Sequence, residues 1–259
     1  MKLLKKIPHA LFSTAVWTVA FAWMGGIAAT WGLSAIFVSP RKTHNYIGGP
    51  GMAAVLKFTL SKVEVVYHPD FDPERRAVFC QNHVNLLDAH VACTAIPHVF
   101  CGMMNAWQFK IPIYGWIMAL ADGIPVPKGA SRFRAIAEAA RDRAQKGISI
   151  LVFPEAHRTL DGKVAEFKRG VFVMSRIAGL PVVPLAVHGM RNLMKKGSLL
   201  VTPSKIKVFV GPQIDTAGLS DDELAEVIAR TRRIIAEFVD TGVVPDDAVV
   251  RGLQAQSVA

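Results

Sequence analysis

Apolar positions along this chain fall into three patterns. The first is continuous: residues 10–38, ALFSTAVWTVAFAWMGGIAATWGLSAIFV, are apolar nearly throughout, and no Asp, Glu, Lys or Arg occurs from Ile7 to Pro40. A straight helix of about 30 residues runs about 45 Å against a hydrocarbon thickness of about 30 Å, too long for one upright span. Gly25-Gly26 divides the stretch into two pieces that are each short for a crossing. The segment therefore reads as a tilted single span or a re-entrant helical hairpin, with Trp17, Trp23 and Trp31 as interface-seeking residues in either case. Lys2, Lys5 and Lys6 precede it and Arg41 and Lys42 follow it, and basic residues at both ends favour the hairpin. The stretch exceeds a signal-peptide core and has no small-x-small site at its end.

The second pattern is a series of short β-rich runs, and the third a set of helical periods between them. Strands are predicted at Val63 to Tyr67, Ala77 to Cys80, His98 to Cys101, Ile124 to Val126, Ile148 to Phe153, Val182 to Val187 and Ile206 to Val210. A helix over Ser131 to Lys146 sets Phe133, Ile136, Ala137, Ala140 and Ala144 on one face and stops at Gly147. The last helix starts with Ser220 and Glu223 in capping-box spacing and carries Leu224, Val227, Ile228, Ile235 and Phe238 on one stripe. Strands alternating with helices predict an α/β fold, a central mostly parallel sheet flanked by helices, behind an N-terminal membrane-embedded helical segment. The expected organisation is a membrane anchor over residues 1–42, one domain over 43–241 and an unassigned tail over 242–259.

Composition narrows the partners. The 259 residues are 51% hydrophobic, and 30 Lys+Arg against 20 Asp+Glu give a formal charge of +10. That excess suits an anionic partner such as nucleic acid, an anionic bilayer or an acidic carrier protein. No nucleic-acid motif accompanies it, and the apolar N-terminus favours a bilayer. Cys80, Cys93 and Cys101 are odd in number and lack a C-x-x-C pair, so they read as reduced core thiols on the cytosolic side.

The stretch QNHVNLLD places His83 and Asp88 five apart at the end of a predicted strand. Five residues on a helix are rotated by roughly 140°, so the two side chains meet only if one lies off the helix. Asn85 is a suitable N-cap and Asp88 a suitable first-turn acid, which leaves His83 in the preceding loop. From there Asp88 can hold one ring nitrogen and leave the other as a base. His90 and His98 lie close in sequence, but the ligand spacing is not that of a zinc site. About 70 residues on, the strand ISILVF runs into Phe153-Pro154-Glu155-Ala156-His157-Arg158-Thr159, placing a carboxylate and a guanidinium at the carboxyl edge where open α/β sheets bind ligands.

Together these pieces resemble the lysophosphatidic acid acyltransferase family of membrane-associated glycerolipid acyltransferases, over roughly Val63 to Val210. Its H-x-x-x-x-D signature is matched by His83 and Asp88, and its K-x-P-x-x-G-W segment by Lys110 to Trp116. G-x-I-P-V-x-R is matched by Asp122 to Lys128, F-P-E-G-T-R-S by FPEAHRT, the following F-K-x-G by Phe167 to Gly170, and the proline-bounded strand by Pro181 to Pro184. The chain departs at Lys128 for arginine, Asp122 for glycine, Ala156-His157 for Gly-Thr and Asn85 for serine.

The resemblance implies an O-acyltransferase that moves a fatty acyl group from acyl-CoA or acyl-carrier protein to the free hydroxyl of lysophosphatidic acid. Phosphatidic acid is the implied product, made at a membrane with the catalytic domain facing the cytoplasm and with no cofactor or metal. His83 is then the general base, Asp88 its partner, and backbone N–H groups at the start of the following helix candidate oxyanion donors. Arg158, Lys128, Glu155, Lys110 and Lys168 are the candidate substrate-binding residues. The departures keep open another acceptor: a lyso-ornithine lipid, a lysophospholipid or glycerol 3-phosphate. A non-catalytic lipid-binding module is a further alternative. Met103, Met104, Trp107, Phe109, Ile111, Ile113, Trp116, Ile117 and Met118 read as an acyl-chain groove or membrane-dipping surface.

Overall fold

The computed structural model describes residues 6–129 and 132–251. Helix α1 (Lys6–Ser34) opens the chain, which then turns back through α2 (Pro40–Thr43), a π-helical turn (His44–Gly48) and α3 (Gly49–Phe58). There follow β1 (Lys62–Tyr67), β2 (Val78–Gln81), α4 (Asp88–Ala95), β3 (Phe100–Asn105), a 3-10 turn (Ala106–Lys110), α5 (Tyr114–Leu120) and β4 (Ile124–Val126). The remainder is α6 (Arg132–Gln145), β5 (Ser149–Val152), α7 (Arg169–Ala178), β6 (Val182–His188), α8 (Met190–Leu193), β7 (Lys205–Val210), α9 (Asp221–Thr241) and α10 (Asp247–Arg251).

The strands form one sheet in the order β1-β7-β6-β2-β5-β3-β4. From β6 to β4 every neighbour is parallel, while β7 runs antiparallel to β6 and carries β1 parallel to itself. This is the mostly parallel sheet the sequence predicts. The clearest shift is β3, which starts at Phe100 instead of His98, where its pairing with β5 begins; the His98 ring bonds the Pro73 carbonyl at 2.8 Å and Ser149 Oγ at 2.7 Å.

Residues of β2 and β5 are buried on both faces, which explains why these strands read as unbroken apolar runs. Phe79, Leu151, Val183 and Leu185 join one core with residues of α1, α3 and α4. Val78, Cys80, Ile150, Val152 and Val182 join a second core on the other face with residues of α6, α7 and α9. Cys80 and Cys101 are buried and Cys93 half-buried, all as free thiols. Burial pushes the Cys93 and Cys101 thiols up to about 12.

The N-terminal segment differs from the expected hairpin. Helix α1 passes through Gly25-Gly26 without a break, and the chain reverses only after Ser34. The reason is in its buried stripe: Val16, Ala20, Met24, Ile27, Ala28 and Trp31 continue in helical phase across the glycine pair. Two glycines cost about 1 kcal/mol each relative to alanine, which packing on this scale offsets. The tryptophans are also held by protein: Trp17 Nε1 donates to the Leu199 carbonyl at 2.7 Å, Trp23 Nε1 to Gly51 at 2.8 Å and Trp31 Nε1 to Thr43 Oγ1 at 2.9 Å. Nearer its start, His9 Nε2 bonds the Val201 carbonyl at 3.0 Å and Ser13 Oγ accepts from Val201 N at 2.9 Å. The first half of α1 is thus tied to the segment before β7, and the second half to α2 and α3. The expected boundary at 42/43 falls inside α2, before its last residue Thr43, and the helical unit continues to Phe58.

Two helices show smaller differences. The capping box of α9 is formed, with Ser220 N donating to Glu223 Oε2 at 2.7 Å and Glu223 N to Ser220 Oγ at 3.3 Å. In α6 the predicted start at Ser131 lies outside the described residues, and Phe133 is exposed beside Gly170 instead of joining Ala137 and Ala140 in the core. The stretch left unassigned after Gly242 contains the short helix α10.

Candidate active site

Strands β2 and β5 are sheet neighbours, so the loops leaving their carboxyl ends lie side by side. In the first loop the His83 and Asp88 side chains meet, Nδ1 to Oδ2 at 2.7 Å. The carboxylate is 1% exposed and the ring 23%. Asp88 Oδ2 also accepts from Val84 N at 2.6 Å and Asn85 N at 2.9 Å, so the loop wraps around a single oxygen. A carboxylate on Nδ1 makes that nitrogen the donor and leaves the lone pair on Nε2.

Helix α4 begins at Asp88, and Asn85 does not cap it in the expected way. Asn85 Oδ1 instead accepts from Leu87 N at 2.8 Å, while its Nδ2 donates to the Met190 carbonyl at 2.7 Å. This turn, together with the bonds to Asp88, takes up the amides of Val84, Asn85 and Leu87. These loop amides, which precede α4, are therefore engaged by side chains of the same loop. Asn82 fixes the loop's departure: its side chain exchanges two hydrogen bonds with Val187 of β6, at 3.0 and 2.8 Å, as a further rung of the ladder.

The second loop supports the first. Glu155, predicted to touch substrate, is 4% exposed, and its two oxygens accept from His83 N and Ala165 N, each at 2.8 Å. It holds backbone with both oxygens, a contact the sequence did not predict. Burial pushes its carboxyl above the usual range, opposed by the two amide bonds and by His83. Thr159 N returns a bond to the His83 carbonyl at 2.9 Å, and the Phe153 ring stacks on the imidazole with centroids 4.0 Å apart and planes at 20°. Phe153, Asn82 and Asn85 were not singled out from sequence as contacts of the pair: Asn82 precedes its motif, Asn85 lies inside it and Phe153 opens the FPEAHRT stretch.

Ala156 stands where the resembled signature carries glycine, and its φ is +65°. The backbone has kept the left-handed conformation that glycine accommodates freely, although the residue has changed. Asp122, the other departure from glycine, has φ +58°, and its carboxylate lies 3.0 Å from Arg41 Nε. At Gly115 of the Lys110 to Trp116 segment, glycine is kept, because a Cβ there would stand 2.1 Å from the Phe109 carbonyl oxygen.

The remaining candidates are spread along the same sheet edge. Lys110 ends the 3-10 turn after β3, Lys128 follows β4, and Lys168 caps α7 with its N–H bonded to the Pro154 carbonyl at 2.8 Å. Arg158 is half-buried, while Lys110, Lys128 and Lys168 are exposed. Among the described residues none of the four forms an ion pair. Lys196, which the sequence did not single out, reaches the same loop and donates to the Arg158 carbonyl at 2.6 Å. The aromatic and methionine stretch divides: Trp107 and Trp116 are exposed, whereas Ile117 lies in the core.

The family model named Acyltransferase matches residues 59–188, just over half of the chain, and that span contains every one of these candidate residues. The chain belongs to the acyltransferase family. A 1-acyl-sn-glycerol-3-phosphate acyltransferase of Limnanthes alba is 26% identical over 221 residues, 81% of this chain and 76% of that protein. One from Limnanthes douglasii is 27% identical over 157 residues, 60% of this chain and 56% of its own length. The enzyme of that name from Pseudomonas aeruginosa is 29% identical over 129 residues, covering 49% of this chain and 50% of itself. The match thus spans about half the length of two of these relatives. A crystal structure of the 1-acyl-sn-glycerophosphate acyltransferase PlsC from Thermotoga maritima superposes with a TM-score of 0.76 at 21% identity, over 91% of this chain and 96% of that one, and shares the fold.

Proposed function

We propose that this protein transfers a fatty acyl group from the thioester of acyl-CoA or acyl-carrier protein to the free hydroxyl of lysophosphatidic acid, forming phosphatidic acid. The observation that carries the reading is the 2.7 Å bond from His83 to buried Asp88, which leaves Nε2 as the basic nitrogen. Nε2 takes the acceptor's hydroxyl proton as the oxygen attacks the thioester carbonyl. The tetrahedral intermediate then breaks its C–S bond, the imidazolium returns the proton to the departing sulfur, and Asp88 stabilises the cation between the two steps. The reaction balances without a metal, a redox cofactor or an acyl-enzyme. Glu155 holds the His83 backbone in place, and Arg158 with Lys128, Lys110 and Lys168 supplies positive charge for the acceptor phosphate. The relatives that bear the acyltransferase name support this acceptor.

The enzyme works at a membrane surface in this reading. In this reading α1, packed along the protein and turned back through α2 and α3, lies along the membrane with its outward apolar residues in the lipid. Lys128 in place of arginine and the exposed His157 favour, as a second reading, an acceptor with a different headgroup.

An acceptor panel tests both: purified protein in detergent, labelled acyl-CoA or acyl-carrier protein, and lysophosphatidic acid, glycerol 3-phosphate, lysophosphatidylcholine and a lyso-ornithine lipid in parallel. Turnover confined to lysophosphatidic acid is expected. Turnover confined to an acceptor without a terminal phosphate overturns the phosphate assignment. His83→Ala is expected to lower turnover about 10² to 10⁴-fold, and near wild-type turnover removes His83 as the base.

A further inference from the structure

We propose that the loop between α8 and β7, at Lys195-Lys196-Gly197-Ser198-Leu199-Leu200, is a second membrane-contact element that seats on an anionic bilayer beside α1. The inference rests on α1 lying on a membrane. The loop has a defined frame: Thr202 N closes its base on the Leu193 carbonyl at 2.9 Å, and Ser198 N closes a turn on Lys195 at 3.0 Å. Gly197, with φ +82°, occupies the third position of that turn, as type II geometry requires. Leu200 N donates to Ser198 Oγ at 3.0 Å, and Val201 is fully buried. On this frame Leu199 is 62% exposed and Leu200 46%.

Two adjacent leucines displayed on a hydrogen-bonded loop need an apolar partner, and their surroundings say which. The Leu199 carbonyl accepts the Trp17 indole N–H, and the Trp17 ring lies 6.1 Å from that of exposed Phe21. The leucines therefore continue the outward apolar surface of α1, which runs on to the exposed corner Ile36-Phe37-Val38. From Trp17 to the end of α1 is about 25 Å of helix, a strip long enough to suit a plane better than a peptide pocket. Exposed Lys195 and half-buried Lys196 flank the leucines, which is the arrangement that meets acidic headgroups while apolar side chains enter the acyl region. Lys196 also bonds the Arg158 carbonyl, so the loop links the bilayer to the loop that carries the candidate phosphate ligand.

The test uses the full chain with Leu199→Cys carrying an environment-sensitive fluorophore. The comparison is Asp222→Cys, exposed at the start of α9 on the sheet face opposite α1, and the labelled unsubstituted chain sets the background. Each is mixed with phosphatidylcholine–phosphatidylglycerol vesicles containing spin-labelled lipid, and the same mixtures are floated. Flotation with a blue shift and several-fold stronger quenching at position 199 than at 222 is expected. Flotation with equal quenching overturns the loop contact and leaves α1 as the anchor. A blue shift at 199 without quenching places the loop against protein, such as a second copy, and overturns it as well. Failure to float overturns the membrane reading of α1 together with this inference.

Discussion

The loops after β2 and β5 sit at neighbouring strand ends and are built in opposite ways. In the first, Asp88, Asn82 and Asn85 are buried and hydrogen-bonded to the loop or to adjoining backbone, so the only partly exposed member of the pair is the His83 ring. In the second, Glu155 faces inward to hold backbone while Ala156 and His157 are exposed and Arg158 is half-buried. A group that moves a proton needs one fixed geometry. A group that meets a variable headgroup needs access. In the open loop Ala156 and His157 replace Gly-Thr; in the closed one the reacting pair His83 and Asp88 stands unchanged, while buried Asn85 replaces serine.

Asp88→Asn attacks the closed loop and carries the largest expected effect. Asparagine keeps an oxygen for the Val84 and Asn85 amides but removes the charge that stabilises the imidazolium, so kcat is expected to fall about 10² to 10⁴-fold. Because His83 and Asp88 act as a unit, the His83→Ala, Asp88→Asn double variant is expected to be no slower than the worse single one. Additive losses measured in the same assay would separate the two roles.

Glu155→Gln tests whether the second loop braces the first. Glutamine has one oxygen for two amides, so either His83 N or Ala165 N loses its acceptor, at about 1–3 kcal/mol of stability. A pH signature accompanies this. Burial raises the Glu155 carboxyl above its ordinary value of 4.5, so the folded chain binds that proton more tightly than the unfolded chain. Its contribution to stability is fully present below pH 4.5 and is lost as pH rises through the raised value. Urea midpoints measured across the weakly acidic range are expected to carry this slope in the parent and lose it in the glutamine variant. A slope that survives in the variant would belong to another group.

Ala156→Gly has the smallest expected effect and the opposite sign. A side chain in the left-handed region costs about 1–2 kcal/mol, and glycine gives back about 0.4–1 kcal/mol through the unfolded chain. A net gain of about 0.5–1 kcal/mol should raise the Tm by about 1–4 °C. A fall in Tm would mean that the alanine methyl makes a contact worth more than the strain.

Strands and the His83–Asp88 pair were legible because each leaves a local trace: β-branched runs for the first, fixed spacing at a strand end for the second. Glu155 was visible as a residue but not as a role. Its partners, the amides of His83 and Ala165, are backbone groups that carry no mark in the sequence. Asn85 looked like a cap because an Asx turn and an N-cap draw on the same side chain. Gly25-Gly26 looked like a break because propensity is local, whereas the stripe from Val16 to Trp31 that overrides it depends on the domain beneath. Trp17, Trp23 and Trp31 were expected at lipid interfaces, and what fixes their indoles is protein carbonyl and hydroxyl oxygen from distant segments.

Asp122 occupies a glycine position of the second resembled signature, and its carboxylate meets Arg41, the first basic residue after α1. Glycine at 122 would satisfy the backbone there with less strain but would offer the guanidinium nothing. In descent, then, the two positions are expected to change together: lineages that restore glycine at 122 lose the reason to keep arginine at 41.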